Sequence, residues 1–181
     1  MRALPNMTVI APSNFFEVTQ SIEAILNYKS PCYLRLGIGN EATDLLNYKI
    51  GKANVLSTGS DIIIIATGSM VGVSFKAVNR LNKIGVEPIL INMHTIKPLD
   101  ADTILSYAKL ANTIITVEEH SIIGGLGSAV AEVIADNYLM TKLKRMGIND
   151  KFCVQVASQS ELLKLNGLTE DDVMREVLSC L

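Results

Sequence analysis

The chain has 181 residues, 49% hydrophobic and 19% charged, and sixteen basic against eighteen acidic side chains give a net charge of −2. That composition can bury a sizeable core and excludes a disordered chain. It also excludes a broad electrostatic footprint for nucleic acid, because the one basic knot, Lys142, Lys144 and Arg145, is too short to make one.

The cysteines Cys32, Cys153 and Cys180 are odd in number and far apart, with no C-x-x-C and no cysteine–histidine cluster. They read as thiols in a reducing compartment and argue against a metal site. The longest strongly apolar run, Ile62 to Ala66, is far below membrane-spanning length, and Met1 to Asn6 has no apolar signal core. A soluble, cytoplasmic protein is expected, with neither membrane nor nucleic acid as a partner.

Thr8 to Ala11 is a short β-branched run stopped by Pro12. Asn14, with Glu17 three residues on, signals a helix start: the Asn side chain caps orphan N–H groups and the glutamate reaches back. Phe15, Val18, Ile22, Ile25 and Leu26 then fall on one helical face. Lys29-Ser30-Pro31 ends the helix, and Cys32 to Leu36 reads as a strand, so residues 7–36 form one strand–helix–strand unit. Such a unit leaves one sheet face and both edges uncovered. It must fray, dock on the rest of the chain, or pair with a second copy, and a homodimer is the expected outcome. Gly37 to Tyr48 reads as loop and linker.

A second series follows. Ala53 to Ser57 is a weak strand, and Asp61 to Thr67 is apolar throughout its middle, as a strand covered on both faces requires. Gly68-Ser69 turns into a helix carrying Val71, Phe75, Val78 and Leu81, stopped by Gly85. Val86 to Asn92 is the next strand, with Pro88 at its start or edge. Pro98-Leu99-Asp100 caps a helix, Thr113 to Val117 is a buried strand, and a glycine loop opens a helix with Leu126, Ala129, Val130, Val133 and Ile134 inward. Lys142 to Ile148 reads as a last strand. Capping boxes at Ser158 with Glu161 and Thr169 with Asp172 open two short helices. This alternation predicts an α/β fold with a mostly parallel sheet between two helical layers.

Four places carry candidate chemistry. Gly125 and Gly127 give G-x-G at a strand-to-helix turn, with Gly124 just before, where N–H groups and the helix dipole hold an anion. The acidic residue that a dinucleotide site needs on the next strand is missing, so a tight turn with close helix packing is the better reading. Glu118-Glu119-His120 lies where a buried strand exits. A histidine beside two carboxylates suits a general base, but Glu118 and Glu119 point to opposite sides of an extended chain and no nucleophile is near. A salt-bridged strand end or a subunit contact is the alternative for Glu119 and His120. His94 follows another strand and reads as structural or exposed. Arg35 ends its strand before Gly37 and suits either a phosphate or carboxylate contact or an interdomain ion pair.

Several runs together resemble a known family. They are Met1-Arg-Ala-Leu-Pro-Asn-Met-Thr-Val-Ile-Ala-Pro-Ser-Asn, Tyr33-Leu-Arg-Leu-Gly, Gly51-Lys-Ala-Asn-Val-Leu, Asp61-Ile-Ile-Ile-Ile-Ala-Thr-Gly, Met93-His-Thr-Ile-Lys-Pro-Leu-Asp and Val117-Glu-Glu-His-Ser-Ile-Ile-Gly-Gly-Leu-Gly. Gly147-Ile-Asn-Asp-Lys-Phe and Gly167-Leu-Thr-Glu-Asp-Asp-Val extend the likeness. These runs resemble the C-terminal part of transketolases, particularly the C-terminal subunit of the split bacterial and archaeal kind.

The resemblance implies a three-layer α/β/α transketolase C-terminal domain over 50–181. A linker over 39–49 and the terminal piece of a thiamine-diphosphate pyrimidine-binding domain over 1–38 precede it. It implies two-carbon ketol transfer between sugar phosphates in the pentose phosphate pathway, with thiamine diphosphate and a divalent metal, Mg2+ or Ca2+, between upstream domains. The cofactor-activating glutamate, the aromatic that packs on the cofactor's pyrimidine and the metal ligands all lie upstream in that family. This chain alone is therefore expected to hold neither cofactor nor metal, to have no catalytic residue, and to need a thiamine-binding N-terminal partner. Arg35 is the one candidate substrate contact, and Glu119, His120, Gly124, Gly125 and Gly127 are interface or structural candidates. Alternatives are a non-catalytic assembly module, or a beta-type segment of a 2-oxoacid dehydrogenase or a deoxyxylulose-phosphate synthase-like enzyme.

Three places depart from the family pattern. Ile38 stands where a phosphate-binding arginine is frequent, and it cannot make a charge-assisted hydrogen bond. Asn14 stands where an aspartate is common, and Phe152 to Ala157 replaces a small, polar segment.

Overall fold

The computed structural model describes residues 1–37 and 48–181. Ile38 and most of the 39–49 linker lie outside the described residues. Strands β1 (Thr8–Ile10) and β2 (Cys32–Leu34) flank helix α1 (Phe15–Leu26). Strands β3 (Asn54–Ser57) and β4 (Asp61–Ala66), helix α2 (Met70–Asn82), and strands β5 (Ile89–Asn92) and β6 (Thr95–Lys97) come next. Helix α3 (Ala101–Tyr107), strand β7 (Ala111–Ser121), helix α4 (Leu126–Asp136), strand β8 (Lys142–Ile148) and helices α5 (Gln159–Leu165) and α6 (Glu170–Ser179) complete the chain.

Five strands form the main sheet in the order β3-β5-β4-β7-β8, parallel except for β3 at one edge. The isoleucine run of β4 fixes its central place. Ile62 and Ile64 pack with Val71, Val78, Leu81, Val173 and Val177 from α2 and α6, while Ile63 and Ile65 pack with Ile104, Leu126 and Val130 from α3 and α4. Alternate side chains of one strand thus feed two cores, each isoleucine stabilising the fold by about 1.5–3 kcal/mol on burial. The three-layer α/β/α architecture follows.

Pro88, which has no N–H to donate, falls just before β5 and sets its start. Strand β7 is longer than Thr113–Val117: it continues through Ser121, so Glu118, Glu119 and His120 are strand residues rather than exit-loop residues. At α5 and α6 both capping boxes are formed reciprocally.

The amino-terminal unit docks on its own chain, one of the three outcomes open to it. Thr95–Lys97, which no pattern marked as a strand, forms β6 and pairs antiparallel with β1 in a separate sheet of order β2-β1-β6. Backbone bonds from Ala11 N to His94 O (2.8 Å) and from Gly68 N to Ala11 O (3.2 Å) continue this docking. The apolar stripe of α1 faces outward, left without cover as expected of an isolated strand–helix–strand unit. Phe15, Phe16, Ile22 and Leu26 are exposed, while Glu17 and Ser21 are the buried residues of that helix.

A polar seam explains the inversion. Asn14 caps α1 by accepting from Glu17 N at 2.8 Å. The Glu17 carboxylate accepts from Ser13 N (2.8 Å) and Ser13 Oγ (2.9 Å), and across the seam from Asn92 Nδ2 (2.5 Å) at the end of β5. A fully buried carboxylate needs such donors, and they hold the polar side of α1 inward.

Candidate functional site

Strands β4 and β7 lie side by side, and their carboxyl ends meet where the chain order of the sheet reverses. In open parallel sheets that crevice is where ligands bind. Here Glu118 and Glu119 occupy it from adjacent strand positions, and alternation sends their side chains to opposite faces.

Glu118 turns toward α4. Its two oxygens accept from Leu126 N (2.7 Å) and Gly127 N (2.8 Å), the orphan donors of that helix. The G-x-G turn therefore encloses the chain's own carboxylate. A side-chain carbon at Gly125 would come within 2.7 Å of Glu118 Cδ, and one at Gly127 within 2.8 Å of Thr116 Oγ1 and Arg145 Cδ. Burial pushes the Glu118 carboxyl above the usual glutamate range, against the opposing pull of the two N–H donors, His120 and Arg145. Gly124, at φ +76°, occupies the left-handed backbone region that glycine tolerates, and its N–H donates to Ser128 Oγ at 2.9 Å.

Glu119 turns toward α2. It accepts from Ser69 Oγ (2.5 Å), at the N-cap of α2, and from Gln159 Nε2 (2.9 and 3.0 Å), at the start of α5. Its backbone oxygen accepts from Arg35 Nη2 at 2.8 Å, tying the end of β2 to β7. His120 presents Nδ1 to Ser121 O at 2.8 Å and lies 3.8 Å from Glu118 Oε2, longer than a hydrogen bond. As an acid–base pair this geometry is poor, because the imidazole proton on Nδ1 is already given to a carbonyl.

Arg35, Glu119, His120, Gly124 and Gly125 line one cavity, which Thr67 and Glu118 also line. Gly127 stands behind it, in the first turn of α4. His94 lies elsewhere: fully buried, it stacks on Tyr48 with ring centroids 4.3 Å apart and bonds Thr95 Oγ1 through Nδ1 at 3.0 Å. Burial lowers its imidazole to about 4, with the Lys52 backbone and Asp100 raising it only in part. Glu17, Thr67, Ser69 and Gln159 were not singled out as site residues. Glu17 carried a signal as a capping residue, but its partner Asn92 is 75 positions away. The others carry none, because Ser69 and Gln159 reach Glu119 across separations of 50 and 40 residues.

Among the described residues no three His, Cys, Asp or Glu side chains converge to hold a metal ion. At the switch point Glu118 occupies the N–H groups of Leu126 and Gly127, so the N-terminus of α4 offers a diphosphate no open cradle. Among the described residues, the G-x-G turn that opens α4 does not fit a thiamine diphosphate, because it already encloses Glu118. No helix among the described residues is long and apolar enough to cross a membrane.

Comparison with known proteins places this geometry. The family model for "Transketolase, C-terminal domain" matches residues 51–173. The chain belongs to that transketolase C-terminal family. A Methanocaldococcus jannaschii protein designated a transketolase C-terminal section is 42% identical over 98% of this chain and 57% of its own length. A 1-deoxy-D-xylulose-5-phosphate synthase of Rippkaea orientalis is 32% identical over 98% of this chain and 29% of its own. Among solved structures, a split-gene transketolase described as an inactive beta4 tetramer superposes with a TM-score of 0.89 at 33% identity. It covers all of this chain, which covers 59% of that one. The transketolase of Campylobacter jejuni shares the fold, with a TM-score of 0.72 at 18% identity. The chain thus spans a little over half of its archaeal relative, at 57%, and under a third of the synthase, at 29%.

Proposed function

We propose that this chain is the C-terminal part of a transketolase-type enzyme that transfers a two-carbon ketol unit between sugar phosphates. The observation that carries the reading is 42% identity to a designated transketolase C-terminal section along 98% of the chain. When bound in the assembled enzyme, thiamine diphosphate supplies the carbanion chemistry. This chain's own residues provide a rigid α/β platform, with Glu118 closing the N-terminus of α4, Glu119 linking Ser69 to Gln159, and Arg35 joining the two sheets. The glycine loop at 124–127 is structural in this reading.

The partner is a thiamine-binding N-terminal section, together with the remainder of a pyrimidine-binding domain. The exposed stripe of Phe15, Phe16, Ile22 and Leu26 on α1 supports the second part, because an apolar helix face gains most from being covered. The solved beta4 relative is described as inactive, which supports inactivity of this chain by itself and self-association of its kind, a homodimer included. A second reading, a synthase-type segment forming 1-deoxyxylulose 5-phosphate, is favoured by relatives at 32–39% identity.

Reconstitution tests both readings. The chain is mixed with an upstream polypeptide that carries the cofactor site, and ketol transfer and deoxyxylulose-phosphate formation are assayed side by side. Ketol transfer is expected only in the mixture. A complex that forms, binds cofactor and yields only deoxyxylulose phosphate would overturn the first reading in favour of the second.

A further inference from the structure

Residues 152–157, between the end of β8 and the cap of α5, belong to no helix or strand. Lys151 N donates to Asn149 O before them, and Ser158 caps α5 after them. The segment reads Phe-Cys-Val-Gln-Val-Ala, without charge, proline or glycine. Phe152 is 94% exposed, Val154 81%, and Val156 fully. In an extended chain alternate residues share one side, so these three make a single apolar row. Among the described residues no hydrogen bond engages the backbone N–H groups of 152–157. The one carbonyl engaged is that of Gln155, which accepts from Cys153 Sγ at 3.5 Å.

An exposed, unpaired run of β-forming residues is a template for another strand. Phe152 to Gln155 also line an apolar groove of about 430 Å3, together with Ile148, Leu162, Leu163 and Leu168. The order of residues in the run decides which strand fits. When two copies pair antiparallel about Val154, Phe152 of each faces Val156 of the other, an aromatic–β-branched pair, and Val154 faces its own copy. Lys151 then faces Ala157, so no like charges oppose each other. Parallel pairing in register sets Lys151 against Lys151, which is destabilising. The run is therefore self-complementary about a two-fold axis, as an isologous contact requires. The exposed stripe of α1 is a separate patch, and a closed two-fold assembly of more than two copies needs two different patches.

We propose that residues 152–157 form an antiparallel strand pair, centred on Val154, with the same segment of a second copy of this chain. This names a surface for the self-association proposed above and rests on that reading. A strand pair this short buries less than the ~800 Å2 per partner of a standard interface, so the contact is weak and depends on concentration.

Sedimentation equilibrium of the full chain tests the surface, and cross-linking tests the register. Val154→Lys sets two like charges against each other on the axis, and it alters a side chain that is 81% exposed, so the fold is kept. The parent should gain mass with concentration, and Val154→Lys should weaken that association about tenfold or more. In a Cys153→Ser background, Val154→Cys should oxidise to a covalent dimer, because residue 154 faces its own copy. Val156→Cys should not, because in this register residue 156 is displaced roughly 13 Å along the strand from its counterpart. Covalent dimers from both cysteine variants, or from neither, would overturn the proposal. Association of Val154→Lys as strong as the parent's would put the contact on another patch and overturn this proposal while leaving self-association standing. A parent that stays monomeric at every concentration would overturn both, while ketol transfer in the mixture with an upstream section still reports the enzyme class separately. Protection of the 152–157 amides from exchange only in that mixture would give the surface to the upstream section and overturn the pairing.

Discussion

His94 sits on the seam between the two sheets, and its burial makes a specific demand on pH. The imidazole is 0% exposed, Nε2 has no hydrogen-bond partner among the described residues, and the ring packs on Tyr48. Burial lowers its pKa from 6.5 to about 4 in the folded chain. A histidine depressed in this way binds its proton more readily unfolded than folded. Its contribution is therefore fully present above the unfolded value and is lost as pH falls toward the folded one. Linkage over that interval gives a loss of about 2 kcal/mol between pH 7 and pH 5. Urea unfolding at pH 7 and pH 5 measures it, with His94→Gln as the reference that cannot titrate in this range. The parent should lose about 2 kcal/mol more than the variant. Equal losses in the two would mean that the ring is hydrated or paired in solution, and that the seam around it is not closed as described.

Other consequences are open to direct measurement. Gly127→Val forces methyl groups against Thr116 and the stem of Arg145, and should cost about 1–3 kcal/mol in thermal unfolding, as overpacking does. Glu17→Ala strips the acceptor from Ser13 and Asn92. Amides of Thr8–Ile10 and Cys32–Leu34 should then exchange rapidly while those of Ile62–Ala66 stay protected, and uniform protection in both segments would contradict the seam. Glu118→Ala leaves the N–H groups of Leu126 and Gly127 unpaired and should destabilise by about 1–3 kcal/mol, read as a lower urea midpoint with an unchanged slope.

The main sheet was legible in the sequence because its signals are local. The isoleucines of β4 can only be a strand buried on both sides, Pro88 marks where β5 starts, and the capping pairs at Ser158 and Thr169 open α5 and α6. The seam was not legible. Thr95–Lys97 is three residues long, and it is a strand only because β1 lies beside it. The side that α1 turns inward was not legible for the same reason. Its apolar spacing is real, but Glu17 finds Asn92 at a distance in sequence that no pattern reveals, and the helix turns its polar side inward.

At the switch point the opposite directions of Glu118 and Glu119 followed from strand alternation. What each carboxylate reaches did not, because Leu126, Ser69 and Gln159 come from three different helices or their caps.

The central claim is that this chain is one part of a thiamine-dependent ketol transferase and holds none of its cofactor alone. Calorimetric titration with thiamine diphosphate and magnesium tests it most directly, on the chain by itself and then on the chain assembled with an upstream section. The account predicts no heat of binding from the chain alone, with binding and ketol transfer appearing together in the assembly. Micromolar cofactor binding by the isolated chain would contradict it.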